Sequence, residues 1–252
     1  SSMVIDGEVQ LTSVPKLSAF RAPTDNDIRM KPLWANCNIW QGENLDCAFS
    51  KVYDCHLENG KIVVQGALAG VSRLPFFRYT LTVCIGEDGT VKCDLNGMVR
   101  EDTTWLPRLG YEFELPESSS TFQYYGRGPL ENYVDMNHWT TVGMYHSSAD
   151  KEYVNYVRPQ EHGNHTDVKL LRIGKLEFVS ENGMEINVSN YSINALYKAE
   201  HTDELQKDGR VHLRVDYKVS GIGSNSCGPA LLEQYRLKEK EIDFAFSVRP
   251  II

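Results

Sequence analysis

The sequence predicts an all-β protein built as a large antiparallel sandwich, and two patterns carry this prediction. First, apolar and polar residues alternate strictly in several segments. In VHLRVDYKVS (211–220) the apolar residues from Val211 to Val219 share one face and the charged residues share the other. Second, short turns such as GEDG (86–89) separate neighbouring alternating runs, as in a β-hairpin. Half-polar strands joined by short turns are typical of antiparallel sheets with one face in water.

The remaining predicted strands follow the same rule. Their segments are VIDGEVQLTS (4–13, read as a hairpin), YTLTVCI (79–85), TVKCDLNGMV (90–99), GMEINVSN (183–190) and EIDFAFSVR (241–249). Helical signals are few and short: Ser192 is a candidate N-cap for INALYKAEH (193–201), and Pro129 favours one helical turn in PLENYVD (129–135). No repeat or Pro/Ser-rich linker divides the chain, so residues 1–252 are predicted to form a single domain.

Composition excludes several classes of function. The formal net charge of −8 argues against nucleic acid as a partner, because such binding depends on Lys and Arg contacts to phosphate. No apolar run has the length needed to cross a bilayer, so no membrane association is expected. The 6 cysteines include no CxxC pair, which argues against a zinc site and favours a reducing, cytoplasmic compartment. A periplasmic or secreted parent protein remains an open alternative.

The loops between the predicted strands carry most of the unusual chemistry. FRAPTDND (20–27), WLPRLG (105–110), YYGRGPLENYVD (124–135), YVRPQEHGNHTDV (156–168) and GIGSNSCGP (221–229) concentrate Arg, Asp, Asn, Glu, His, Gly and Pro. Bidentate pairs between arginines and carboxylates would tie such loops together, so we expect a structural network rather than a catalytic one. The residues assigned to it are Arg21, Asp25, Asn26, Asp27, Arg127, Glu131, Arg158, Gln160 and Glu161.

Four of these loops, in this order, resemble the C-terminal small-chain domain of the β-galactosidases of glycoside hydrolase family 2. The resemblance rests on RAPTDND, GRGPLENYVD and RPQEHGNHTDV, with GIGSNSCGP at the position of the family's last conserved loop. It implies a β-supersandwich like that of galactose mutarotases. It also implies a retaining β-galactosidase whose two catalytic glutamates and magnesium ion belong to a TIM-barrel domain outside this chain.

The resemblance therefore assigns no catalytic residue, metal site or cofactor to this chain. It implies a part of a longer enzyme, or a separate small subunit, that completes the galactoside pocket beside the barrel of a homo-oligomeric parent. We expect the sugar contacts to come from the small-residue loop at Ser224, Asn225, Ser226 and Cys227. Relatives place a sugar-stacking tryptophan in this loop. Here the nearest residue is Cys227, so the stacking role does not carry over.

Two alternatives stay open. A mutarotase-like enzyme that interconverts sugar anomers would use His165 as the acid and a glutamate such as Glu233 as the base, both within reach of the sugar. A carbohydrate-binding module would bind galactose without either activity.

Overall fold

The structure is a computed structural model that describes residues 2–35, 42–223 and 227–251. It contains fourteen strands in the described ranges: β1 (Met3–Ile5), β2 (Glu8–Leu11), β3 (Lys16–Ser18), β4 (Ala48–Glu58), β5 (Lys61–Gly70), β6 (Phe77–Ile85), β7 (Val91–Val99), β8 (Arg108–Pro116), β9 (Thr121–Gly128), β10 (Thr141–Ser148), β11 (Asn164–Ile173), β12 (Leu176–Ser189), β13 (Arg210–Val219) and β14 (Glu241–Pro250). The α-helices in these ranges are α1 (Lys31–Trp34) and α2 (Ile193–Lys198). All strand pairs are antiparallel.

Two layers share the long strand β12. The first layer has the order β10–β9–β11–β12–β14–β7–β6–β5–β4, and a second, narrower layer continues from β12 through β13 and β8 to β3. The start of β12 (176–179) pairs with β14, whereas its end (185–189) pairs with β13, so this strand passes from one layer to the other. The prediction of an all-β sandwich is confirmed.

The main core lies between the layers. Phe113 of β8 packs edge-on against Phe178 of β12 with ring centroids 5.2 Å apart, and Tyr111 of β8 lies 5.6 Å from Phe246 of β14. Each of these rings is buried, and together they bring the second layer onto the first. Large aromatic side chains fill such an inter-sheet space because each buries a large apolar area.

Local sequence signals located some of the elements. The strands β3, β4, β5, β8, β9, β10 and β11 were not predicted, and parts of three segments interpreted as loops, 105–110, 124–135 and 156–168, lie in β8, β9 and β11. The alternating runs at 79–85, 90–99 and 241–249 lie in β6, β7 and β14, and the VIDGEVQLTS hairpin forms β1 and β2. The side chain of Ser192 caps α2 by accepting a hydrogen bond from the backbone N–H of Ala195 at 3.1 Å.

Two local predictions were wrong. PLENYVD forms a loop and not a helical turn, because the backbone N–H and carbonyl of its Asn132 are hydrogen-bonded to Asn164 and not within a helical turn. In β13 the side chains predicted to face water, His212, Arg214 and Asp216, are buried. This strand lies between β12 and β8, and its charged side chains have hydrogen-bonding partners: Arg214 donates to Asn187 and to the carbonyl of Tyr191, and Asp216 pairs with Arg108.

Candidate functional site

A buried arginine holds residues Ser220–Gly223 in place. These residues lie at the start of the GIGSNSCGP segment, called the last loop below. The guanidinium of Arg21 donates to both carboxylate oxygens of Asp27, at 3.1 and 2.8 Å. It also donates to the backbone carbonyls of Ser220 and Gly221, the latter at 3.2 Å. Arg21 is fully buried, and the backbone N–H of Thr24 donates to Asp27 as well. The FRAPTDND loop thus fixes the last loop through a paired, desolvated charge.

Two further side chains hold the same segment from other directions. Asn26 donates to the carbonyl of Ile222 at 2.5 Å. Asp135 accepts the backbone N–H of Ile222 at 3.1 Å and that of Gly223 at 2.7 Å. A Cβ at Gly221 would lie 2.5 Å from the carboxyl carbon of Asp135, so only glycine allows this approach. Backbone N–H and C=O groups of the last loop are therefore satisfied by side chains from two other motif loops.

An apolar contact adds to this anchor. The side chain of Ile222 is buried with Tyr133 and Val219 in a small cluster separate from the main core, and Met136 packs against it. Tyr133 comes from the GRGPLENYVD loop and Val219 from the end of β13. The segment before residue 224 is consequently fixed by packing as well as by hydrogen bonds.

The GRGPLENYVD loop is itself braced against the EHGNHTD segment. Glu131 accepts hydrogen bonds from the hydroxyl of Tyr156 at 2.6 Å and from the backbone N–H of Gly163 at 2.7 Å. Asn132 accepts from both the backbone N–H and the hydroxyl of Thr166. Glu131 thus links the loops through neutral donors and not through the arginine pair that the sequence analysis favoured.

The arginines of the motif loops divide into two groups. Arg127 donates to Asp167 at 2.5 Å and to the carbonyls of Thr140 and Asn137, so it ties β9 to two neighbouring segments. Arg158 does not join the network: it is half-buried, and it forms no hydrogen bond or ion pair within the described part of the chain. Gln160 joins the FRAPTDND loop instead, because its side-chain oxygen accepts the backbone N–H of Asp25 at 2.8 Å.

Glu161 is a buried member of the network. Its backbone N–H donates to the carbonyl of Ala22 at 3.0 Å, and its carboxylate accepts from Asn187 at 3.1 Å. Asn187 in turn accepts from Arg214 at 2.5 Å. All three side chains are buried.

A second buried carboxyl, Glu185, lies behind the last loop. It accepts from the side chain of Asn164 at 2.6 Å and from the backbone N–H of Val219 at 3.1 Å. Burial and, to a smaller extent, the charge of nearby Asp216 raise the pKa of Glu185 to about 8, although the two hydrogen bonds favour the charged form. A nearby pair, Arg108 and Asp216, is also buried and joined at 2.6 Å.

His165, the acid of the mutarotase alternative, has no face open to a ligand. Its Nδ1 lies 3.0 Å from the hydroxyl of Tyr124, and its Nε2 lies 2.9 Å from the carboxylate of Glu152. The ring is fully buried. Glu233 is exposed and pairs with Lys238 at 2.9 Å. The structure therefore gives these two residues different environments, and the histidine cannot donate a proton to a bound sugar without a rearrangement.

Of the residues predicted to contact sugar, Cys227 is exposed, and Ser224, Asn225 and Ser226 lie outside the described residues. Within residues 2–35, 42–223 and 227–251, no three His, Cys, Asp or Glu side chains converge to hold a metal ion. None of the helices in these ranges is long and apolar enough to span a membrane.

Sequence reasoning missed several members of the network. The prediction of the network omitted Asp135, Asn132, Asn187, Glu185 and Arg214. Asn132 and Asp135 have a usable signal, because they share a motif loop with Arg127 and Glu131. The others lie in strands or beside them, where a polar residue reads as solvent-facing.

Comparison with known proteins assigns the chain to a family. The family model described as the β-galactosidase small chain matches residues 1–248. The chain therefore belongs to the β-galactosidase small-chain family. It is similar to a β-galactosidase of Actinobacillus pleuropneumoniae (34% identical, covering 91% of this chain) and to one of Kluyveromyces lactis (33%, covering 92%). A β-galactosidase of Staphylococcus xylosus is 29% identical over 91% of this chain.

The chain spans 23% of the length of each of these three relatives. Among solved structures, a copper-containing benzylamine oxidase from Hansenula polymorpha overlaps 81% of this chain and 43% of its own at 11% identity. Its TM-score of 0.28 is too low to support an argument.

Proposed function

We propose that this chain is a non-catalytic part of a β-galactosidase that completes the galactoside pocket beside a catalytic domain lying outside the chain. The observation that carries the proposal is the way Ser220–Gly223 is held: Arg21, Asn26 and Asp135 bind its backbone from two other motif loops. Such bracing fixes the backbone up to Gly223, and the residues predicted to contact sugar follow directly in the sequence. Binding loops act in this way when a rigid scaffold positions them.

The carboxylates of the network support a role without catalysis. Asp27, Glu131 and Asp135 each accept at least two hydrogen bonds, Asp27 within its own loop and the other two from neighbouring segments. A glycosidase needs a carboxyl pair that is open to the substrate on both sides of the scissile bond. These three groups are engaged in structure. The resemblance to glycoside hydrolase family 2 implies that the two catalytic glutamates and their magnesium ion belong to the catalytic domain. That domain is expected to be a TIM barrel of glycoside hydrolase family 2.

The sugar contacts are assigned to Ser224, Asn225, Ser226 and Cys227. Short hydroxyl, amide and thiol side chains beside glycines allow close approach of a sugar hydroxyl. The cytoplasmic location and the homo-oligomeric parent remain predictions. No observation favours the mutarotase alternative, because His165 is buried with both ring nitrogens hydrogen-bonded.

A chimera tests the proposal. The region of the A. pleuropneumoniae β-galactosidase that matches this chain is replaced by residues 1–252, and a deletion variant that lacks the region is the control. We expect the chimera to hydrolyse o-nitrophenyl-β-galactoside and the deletion variant to be inactive. The isolated chain should neither hydrolyse this substrate nor accelerate galactose mutarotation in a polarimeter. Robust turnover by the isolated chain, or full activity of the deletion variant, would refute the proposal.

A further inference from the structure

One face of the sheet formed by β4 to β7 is apolar along its whole length. Strand register defines this face: Leu57 lies opposite Ile62, Ile62 opposite Val83, and Val83 opposite Cys93. Directly opposed residues in an antiparallel pair project to the same side. The same face continues through the rows that include Val52, Cys55, Val64, Leu81, Ile85, Val91 and Leu95. We name the outer part of it, Val52, Cys55, Leu57, Ile62, Val64, Leu81, Val83 and Ile85, the outer apolar face.

The opposite side of these strands has a different character. It carries His56 and Glu58 of β4, Lys61 of β5 and Thr82 of β6, and Asp94 of β7 lies opposite Thr82. The sheet is thus amphipathic, with one wet side and one side patterned for burial.

Burial along the apolar side decreases outward from the middle of the molecule, and Val64, Leu81 and Val83 are half-buried. Near the middle of the molecule Leu68, Phe77 and Leu95 are fully buried under the second layer. Toward the ends of β4, β5 and β6, Leu57 is 73% exposed, Ile85 61% and Val52 53%. The second layer ends at β3, which pairs only with β8 among the described strands, so it is too narrow to cover the outer apolar face.

The boundary between covered and uncovered parts is a groove. A cavity of about 620 Å³ lies between Val52, Val64 and Leu81 on one side and Leu17, Tyr111 and Ile193 on the other. Lys16, Glu112 and Glu114 also line it. The groove therefore continues the space between the two layers, with an apolar floor and a polar rim to which Asp46 and His212 also belong; Glu114 on this rim pairs with Arg210 at 2.8 Å.

From this geometry we propose that the outer apolar face is a docking surface for an apolar segment of the same β-galactosidase that lies outside this chain. The inference rests on the proposed function. Patches of this kind on soluble proteins mark interaction sites. The relatives supply the occupant, because this chain spans only 23% of their length. The segment is expected to alternate apolar side chains, which face the groove, with polar ones.

A second copy of the chain fits the groove less well. A two-fold dimer would bring the same patch against itself, so the carboxylates at the two rims would approach each other. The open edge of β3 further favours an extended segment, because an added strand would continue the second layer.

Cys55 provides a native probe of the outer apolar face. It is exposed and lies opposite Val64. Cys84 of β6 lies opposite Lys92, on the polar side of the same sheet, and is the matched control. Both are labelled with N-ethylmaleimide under native conditions, in the isolated chain and in the chimera described above, and the labelled peptides are measured by mass spectrometry.

We expect Cys55 to react at least about tenfold more slowly in the chimera than in the isolated chain, while the rate at Cys84 changes by less than about twofold. A chimera that is active but leaves Cys55 fully reactive would overturn this inference and leave the proposed function intact. Equal protection of both cysteines, or protection of Cys55 in a concentration-dependent dimer of the isolated chain, would also overturn it. Loss of activity in the chimera would instead count against the proposed function.

A pair of substitutions gives a second readout. Leu57→Gln removes an apolar side chain from the docking surface, and His56→Gln changes its neighbour on the polar side. Both should leave the melting temperature of the isolated chain within about 2 °C, because both positions are exposed. In the chimera, only Leu57→Gln should speed labelling of Cys55, by about threefold or more. An equal effect of both variants would contradict the proposed surface.

Discussion

Removal of the buried guanidinium of Arg21 is expected to destabilise the protein strongly. Arg21→Met keeps most of the side-chain volume beside Trp34, whose ring lies 5.4 Å from the guanidinium carbon, but removes every hydrogen bond to Asp27 and to the last loop. Breaking a buried ion pair by removing one partner costs about 3–5 kcal/mol, because the other charge stays buried. Asp27 keeps one donor, the backbone N–H of Thr24, so we expect Arg21→Met to lower the free energy of unfolding by about 3–4 kcal/mol.

Urea unfolding of the isolated chain measures this loss. For a domain of this size the melting temperature should fall by roughly 10 °C. Arg29→Met is the matched control, because Arg29 is exposed, and it should change the free energy of unfolding by less than about 0.5 kcal/mol. The double variant Arg21→Met, Asp27→Leu should recover part of the loss, since it removes the unpaired carboxylate. A cost below about 1 kcal/mol for Arg21→Met would refute the bracing role assigned to this pair.

Three further variants test other parts of the network. Burial raises the pKa of Glu185 from 4.5 to about 8, so the folded state retains a proton that the unfolded state loses. The contribution of this proton to the free energy of unfolding is complete below the unfolded pKa and is lost as the pH rises through the folded pKa of about 8. Glu185→Gln should reduce this loss of unfolding free energy between about pH 4 and 9 by about 2–5 kcal/mol, as measured by urea titrations. An unchanged dependence of stability on pH would contradict the raised pKa. In the chimera, Asp135→Asn should raise KM about three- to tenfold with little change in kcat, because it weakens the hold on Gly223; a loss confined to kcat would contradict this. Arg127→Ala should cost about 1–2 kcal/mol of unfolding free energy, and unchanged stability with abolished turnover would contradict its structural role.

Part of the site could be predicted from sequence because its contacts are local. Arg21 and Asp27 lie six residues apart in one loop, and the density of charge in that loop indicated a bracing pair. Glu131 was also assigned to the network, but its partners, Tyr156 and Gly163, were not foreseen. They lie 25 and 32 residues away, and no pattern within a short window specifies such a contact.

The buried polar centre was beyond sequence reasoning for the same reason. Arg108 and Asp216 form a buried pair although 108 residues separate them in the chain. A charged residue in an alternating strand reads as solvent-facing unless its partner is known, because unpaired charges are almost never buried.

Alternation by itself determined which residues form strands and which side chains share a face, because the strand period of two is a property of the local backbone. Only the tertiary structure decided which faces are covered. In β13 it buried the polar side, with Arg214 and Asp216, because the strand lies between two others and these two side chains meet Asn187 and Arg108. In β4 it left the apolar side chain of Leu57 exposed, because the second layer ends at β3. Coverage depends on the width of the opposing layer, and that width is set by pairings between strands far apart in the chain.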